Sequence, residues 1–148
     1  MTYQEKKSII SLISTILIFG TYCLYMYPRH PEVELVSLAT FRYWGLFVLN
    51  LMLFSIVAHI IISILFNIFF RITTGEKEPK FADELDKLIE LKANRNSFFV
   101  FIVGFLLAMG SLVVSQPSQA MFIILIISGF TSDVTGSVTK LYLYRKGV

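Results

Sequence analysis

The chain is expected to be all-α: a four-helix transmembrane bundle, made of two hairpins, with a cytoplasmic amphipathic linker helix between them. Three observations lead there. Four apolar runs, about 8–27, 43–70, 97–115 and 120–140, come near or exceed the roughly 20 residues needed to cross a bilayer. The 148 residues are 55% hydrophobic and only 16% charged, and the mean hydropathy is +0.71, too apolar for a soluble domain of this size. The charge that exists is concentrated. Residues 71–96 hold six of the thirteen Lys/Arg and six of the ten Asp/Glu. One integral membrane domain covering 1–148 accounts for all three.

The first run reads as a retained helix and not as a signal peptide. Its apolar part is too long, and no small-x-small cleavage site precedes Tyr22, Tyr25 and Tyr27. Ser11, Ser14 and Thr15 add polar groups to it. Its Cys23 is the single cysteine, which rules out an intrachain disulfide and a cysteine zinc cluster. The sequence Pro28-Arg29-His30-Pro31 then breaks the helix. His30 reads as a solvated loop residue. Pro31 suits a new first turn whose positive end Glu32 and Glu34 favour, followed by an interfacial stretch with Val33, Leu35, Val36, Leu38 and Phe41.

The second run carries Ser55, His59, Ser63 and Asn67 every four residues, so they form one polar stripe. The linker 71–96 follows. Thr73, Thr74, Gly75 and Glu76 read as a turn and Pro79 as a helix start. Phe81, Leu85, Leu88 and Ile89 then share one helix face. This segment is expected to lie in the membrane interface as its own helix. Its mixed charge also suits a docking surface for a soluble partner, with Asp83, Glu84, Asp86, Lys87, Glu90, Lys92 and Arg95 as the contact residues.

The third run has Gly104, Ala108, Ser111 and Ser115 on one face, small residues that let helices approach closely. Gln116-Pro117-Ser118-Gln119 is a tight turn. The fourth run holds Asp133, the one acidic residue inside a predicted span, among Ser128, Gly129, Thr131, Ser132, Thr135, Gly136, Ser137 and Thr139. An intramembrane carboxylate is costly and is a functional candidate by default. Asp133 should lie level with His59 or Ser63. Lys140 is expected to snorkel to the cytoplasm.

Basic residues set the topology. Lys6, Lys7, the six in 71–96, and Lys140, Arg145 and Lys146 fall on one side if there are four spans, while Arg29 and Arg42 fall on the other. Both termini are therefore expected in the cytoplasm. Tyr22, Tyr25, Tyr27, Tyr43 and Trp44 would line the outer interface, with Tyr142 and Tyr144 at the inner one. The net charge of +3, located at membrane edges, favours anionic headgroups as partners and gives no reason to expect direct nucleic acid binding.

The run from Asp83 to Arg95 (Asp-Glu-Leu-Asp-Lys-Leu-Ile-Glu-Leu-Lys-Ala-Asn-Arg), leading into Phe98-Phe99, resembles an uncharacterised family of small bacterial four-span membrane proteins. The aromatic-basic end Leu141-Tyr142-Leu143-Tyr144-Arg145-Lys146-Gly147-Val148 is similar to that family's terminus. The likeness covers about the second half of the chain. Members are often encoded beside small helix-turn-helix transcription regulators. The resemblance implies a bacterial inner-membrane location and a cytoplasmic regulator as partner. It brings no catalytic residues.

Two functions follow. The first is a non-enzymatic regulatory or interaction protein acting through the linker helix. The alternative is a small homo-oligomeric transporter or channel using Asp133 with the stripe of Ser55, His59, Ser63 and Asn67. In that second reading Asp133 and His59 form a protonatable or cation-binding pair, whereas in a purely structural one these groups hydrogen-bond helices together. An enzyme is not expected: there is no Gly-x-Ser-x-Gly, no His-Glu-x-x-His and no nucleotide-binding loop. One His and one Asp are too few for a metal centre, and no cofactor is expected.

Overall fold

The computed structural model describes residues 3–26, 38–74 and 84–146. They form four α-helices: α1 (Tyr3–Met26), α2 (Leu38–Thr74), α3 (Glu84–Val113) and α4 (Ser118–Lys146). No strand occurs among the described residues. Each helix is long and apolar enough to cross a membrane. Of the expected outer interfacial stretch, Val33, Leu35 and Val36 lie outside the described residues, as do Tyr27, His30, Pro79, Phe81 and Asp83, whereas Leu38 and Phe41 belong to α2.

The expectation of a separate linker helix needs correction. Residues 84–96 and the third apolar run are one 30-residue helix, α3. The reason is local. No Gly or Pro occurs from Glu84 to Val103, and Glu, Leu, Lys and Ala in this stretch are strong helix formers. Nothing stops the helix at the membrane edge. Glu84 and Asp86 in its first turn complement the positive end of the helix dipole. Arg71 to Thr74, placed in the linker from the sequence, belong to α2, so Thr73 and Thr74 are helical, while Gly75 and Glu76 of the expected turn lie outside the described residues. At 37 residues, α2 spans about 55 Å, so it exceeds a hydrocarbon layer of about 30 Å.

α3 and α4 are joined by the tight turn expected there. Gln116 N–H donates to the Ser111 carbonyl (3.0 Å) and Ser115 N–H to the Leu112 carbonyl (3.1 Å). These two bonds make a Schellman cap. Ser115 takes the left-handed position that glycine usually fills, with φ of 60°.

α4 is the centre of the assembly. It packs on α3, α1 and α2; α1 also packs on α2, whereas α3 packs on α4 alone among the described helices. The α3–α4 pair is antiparallel, with Glu90 beside Lys140, Ser97 beside Ser132 and Gly104 beside Ser128. The α1–α2 pair is antiparallel too, with Tyr3 against Phe66 and Phe70, and Tyr22 against Phe47. The starts of α1 and α3 therefore meet the ends of α2 and α4. Lys6, Lys7, Arg71, Lys87, Lys92, Arg95, Lys140, Arg145 and Lys146 all lie toward that shared end, the basic end.

Small residues make the α3–α4 seam close. Ile89, Ala93, Gly104 and Ala108 are buried on α3, and Ser128, Ser132 and Gly136 on α4. A Cβ at Gly104 would overlap the Ser128 side chain. Across the same seam Ser97 Oγ donates to the Ser132 carbonyl (2.9 Å) and Ser132 Oγ to the Ser97 carbonyl (2.8 Å). The small face expected on the third run is thus the helix contact, through Gly104 and Ala108.

The opposite end is held by aromatics. Tyr22, Trp44 and Phe47 form a buried cluster that Phe122 and Ile126 pack against. Trp44 stacks on Phe122 with centroids 6.1 Å apart. Tyr22 Oη donates to the Phe47 carbonyl (3.0 Å). Tyr22 and Trp44, which the sequence suggested as interface anchors, are packed between helices. Tyr25 is exposed. Between the two ends α2 stands off from α4, and most of its Leu, Ile, Phe and Val side chains point outward.

Candidate functional site: two cavities meeting at Asp133

The backbones of α1 and α3 stay apart, and a cavity of about 800 Å³ lies between them over α4. Its lining comes from three polar stripes. α1 contributes Gln4, Lys7, Ser8, Ser11 and Thr15; α3 contributes Asp86, Glu90, Asn94 and Ser97; α4 contributes Asp133, Ser137, Lys140 and Tyr144. Each set recurs at three- or four-residue steps, one face of a helix. The stripes run from the charged ends of the helices inward, so the cavity is a polar vestibule belonging to the basic end.

Hydrogen bonds and one ion pair organise its mouth. Gln4 Nε2 donates to Asp86 Oδ2 (3.2 Å), linking α1 to α3. Lys140 Nζ pairs with Glu90 Oε1 at 3.4 Å. Lys140 thus turns to a carboxylate on α3 at the basic end and does not reach Asp133 on its own face. Tyr144, past the apolar part of α4, donates to Asp86. Burial first, then the Asp86 charge and hydrogen bond and the Glu90 charge, push its hydroxyl up to about 12.

The vestibule is deepest at Thr15, His59 and Asp133. Asp133 lies seven residues before Lys140, about 10.5 Å along the helix axis. No hydrogen bond or ion pair among the described residues engages its carboxylate, which is open to the cavity. His59 is fixed from two sides. Its Nδ1 lies 2.9 Å from the Ser55 carbonyl and its Nε2 lies 3.2 Å from Thr15 Oγ1. A carbonyl only accepts, so Nδ1 carries hydrogen. Thr15 Oγ1 is also placed to donate to the Ser11 carbonyl (3.0 Å), and it has one proton to give. With neutral His59, Thr15 donates to Nε2. With cationic His59, Nε2–H donates to Thr15 and the Thr15 proton goes to Ser11.

A second cavity, about 750 Å³, lies on the other side of these residues between α2 and α4. Its lining is apolar, with Val48, Leu49, Met52, Ile56, Leu125 and Ile126 as examples. Thr15, His59 and Asp133 line both cavities. One helical turn further from the basic end, Phe19 stacks on Phe130 with centroids 4.1 Å apart and planes at 16°.

The residues singled out from the sequence separate into groups. Asp133 and His59 come together as expected. Asn67 lies two turns away at the basic end, accepting from Tyr3 Oη. Ser63 is half-buried on α2 and lines neither cavity. In the docking set, Asp86 and Glu90 turn into the vestibule, Glu84, Lys87 and Arg95 are exposed, and Lys92 is half-buried. Sequence reasoning named Thr15 without giving it a role, and missed Gln4 and Tyr144 as parts of the site. Heptad-like spacing of Gln4, Ser8, Ser11 and Thr15 was the signal for the α1 face. No His/Cys/Asp/Glu grouping among the described residues could hold a metal ion.

Comparisons of the chain with protein-family models, with curated proteins and with solved structures found no match.

Proposed function

We propose that this is a small multi-pass membrane protein of the transport class that binds a cationic solute at Asp133. The observation that carries the reading is the open, unpaired Asp133 carboxylate at the inner end of a polar vestibule. A carboxylate inside a membrane helix costs several kcal/mol unless something compensates it. A bound cation, or a proton, supplies that compensation. The polar lining ends at Thr15, His59 and Asp133, and the Phe19–Phe130 stack follows. This favours a carrier-type site closed toward the aromatic end over a continuous pore. His59 adds a second group whose hydrogen bonds rearrange with its charge.

By the distribution of basic residues the vestibule opens to the cytoplasm, and both termini lie there. The outward apolar face of α2 suits lipid or a second copy of the chain. Tetramethylammonium is a suitable small probe. It is expected to bind wild-type protein in lipid nanodiscs. Asp133→Asn should abolish the binding. Equal binding by both proteins would overturn the assignment.

A regulatory role through the start of α3 remains the second reading. The observation favouring it is an exposed strip in which Leu85, Leu88 and Leu91 alternate with Glu84, Lys87 and Arg95. Such a strip fits an amphipathic protein partner, a helix-turn-helix regulator being the one the family resemblance suggests. Capture of that regulator by wild type, and not by a chain with Leu88→Glu and Arg95→Glu, tests it. Equal capture by both would remove it.

A further inference from the structure

We infer that the ligand is an amphiphilic cation, its charged head at Asp133 and its apolar chain in the groove between α2 and α4. The inference rests on the proposed cation site and adds the substrate class and the route of entry. Its basis is that two cavities of opposite character share three residues. The polar one alone would suit a small hydrophilic cation. The apolar one alone would suit a lipid tail. A single molecule reaching from one to the other must carry both chemistries.

The charge of the head follows from the groups facing the junction. From α2 comes His59 and from α1 Lys7; from α3 come Asp86 and Glu90; from α4 come Asp133, Lys140 and Tyr144. Lys140 is paired with Glu90, and Asp86 accepts from Gln4. At the junction itself Asp133 is the one acidic group, with His59 beside it. An anionic head would meet a carboxylate that no hydrogen bond or ion pair among the described residues engages, which is unfavourable in a low-dielectric setting. A cationic head removes that cost.

The size of the chain follows from the groove. A volume of about 750 Å³ lies in the range that drug-sized ligands fill. Two glycines face it, Gly45 from α2 and Gly129 from α4, and a Cβ at either would meet nothing within 4 Å. These positions hold space open. α2 packs lightly on α4, so the groove lies between helices that a bilayer would surround. The ligand therefore enters sideways from the hydrocarbon, and its head reaches the vestibule past Asp133.

Equilibrium binding to the protein in nanodiscs, corrected for uptake by empty nanodiscs, tests this with three probes. Octyltrimethylammonium should bind at least about tenfold more tightly than tetramethylammonium, a factor that needs only 1.4 kcal/mol from the chain. Octanesulfonate, with the same chain and opposite charge, should not bind. Asp133→Asn should abolish binding of both cations. Gly129→Leu fills the groove from an open position. It should reduce octyltrimethylammonium binding to the level of tetramethylammonium while leaving the latter unchanged, which also reports that the fold is intact. Equal affinities for the two cations, both lost in Asp133→Asn, would overturn the amphiphile and leave the cation site standing. Octanesulfonate binding, or unchanged octyltrimethylammonium affinity in Gly129→Leu, would also overturn it. Absence of Asp133-dependent binding for every probe would remove both proposals.

Discussion

Thr15 Oγ1 on α1 lies 3.2 Å from His59 Nε2 on α2, beside Asp133 and at the meeting point of a polar and an apolar cavity. The contact fixes the imidazole ring, because Nδ1 is already committed to the Ser55 carbonyl. Neutral His59 must therefore carry its hydrogen on Nδ1. Nitrogen NMR of histidine-labelled protein in a His30→Ala background should show that tautomer. The Nε2–H tautomer would contradict the geometry. Thr15→Val removes the α1 contact and should lower stability by about 0.6–2 kcal/mol, the range for hydrogen bonds between membrane helices.

At Gly104 the α3–α4 seam leaves no room for a Cβ. Gly104→Ala should destabilise the protein by about 1–3 kcal/mol, as overpacking does in other tightly packed interiors, despite the higher helix propensity of Ala. Thermal unfolding in detergent would measure it. The added methyl overlaps the Ser128 side chain, so Ser128→Gly should restore most of the loss in the double variant. Failure of that rescue would mean the seam is not the cause.

Ser97 and Ser132 exchange side-chain to backbone bonds across the same seam, and their hydroxyls lie 2.8 Å apart. A double-mutant cycle with Ser97→Ala and Ser132→Ala should give a coupling of about 1 kcal/mol. Additive single effects would show that each serine bonds only within its own helix.

Ser115 occupies the left-handed position of the α3 cap with φ of 60°, and its side chain is exposed. Ser115→Gly should therefore stabilise the protein by about 1 kcal/mol, since glycine adopts that conformation without the Cβ penalty. A drop in unfolding temperature would contradict the cap.

The helices were legible in the sequence because the bilayer imposes one length scale on them. Four apolar runs gave four helices, and Pro117 gave the turn. The linker helix and the third span are one helix for a physical reason: a change from charged to apolar side chains marks the membrane edge, but only Gly, Pro or a cap ends a helix. Asp133 and His59 could be paired because both lie at similar depth on helices running the same way. Which of the other three stripe residues would join them could not be read, since that depends on how α2 rotates and where it crosses α1. Tyr22 and Trp44 looked like interface anchors by type. Their burial reflects the contact of α1, α2 and α4 at that end, which no local pattern encodes. The apolar groove left no sequence signal beyond Gly45 and Gly129, because its lining residues resemble any lipid-facing set.

The central claim is that a polar path leads from the basic end of the bundle to Asp133. Asp133→Cys in a Cys23→Ala background, treated with a membrane-impermeant cationic thiol reagent, tests it most directly. With the basic end proposed to be cytoplasmic, modification is predicted in inverted membrane vesicles and not in right-side-out vesicles. Labelling only from the opposite side, or from neither side, would contradict the account.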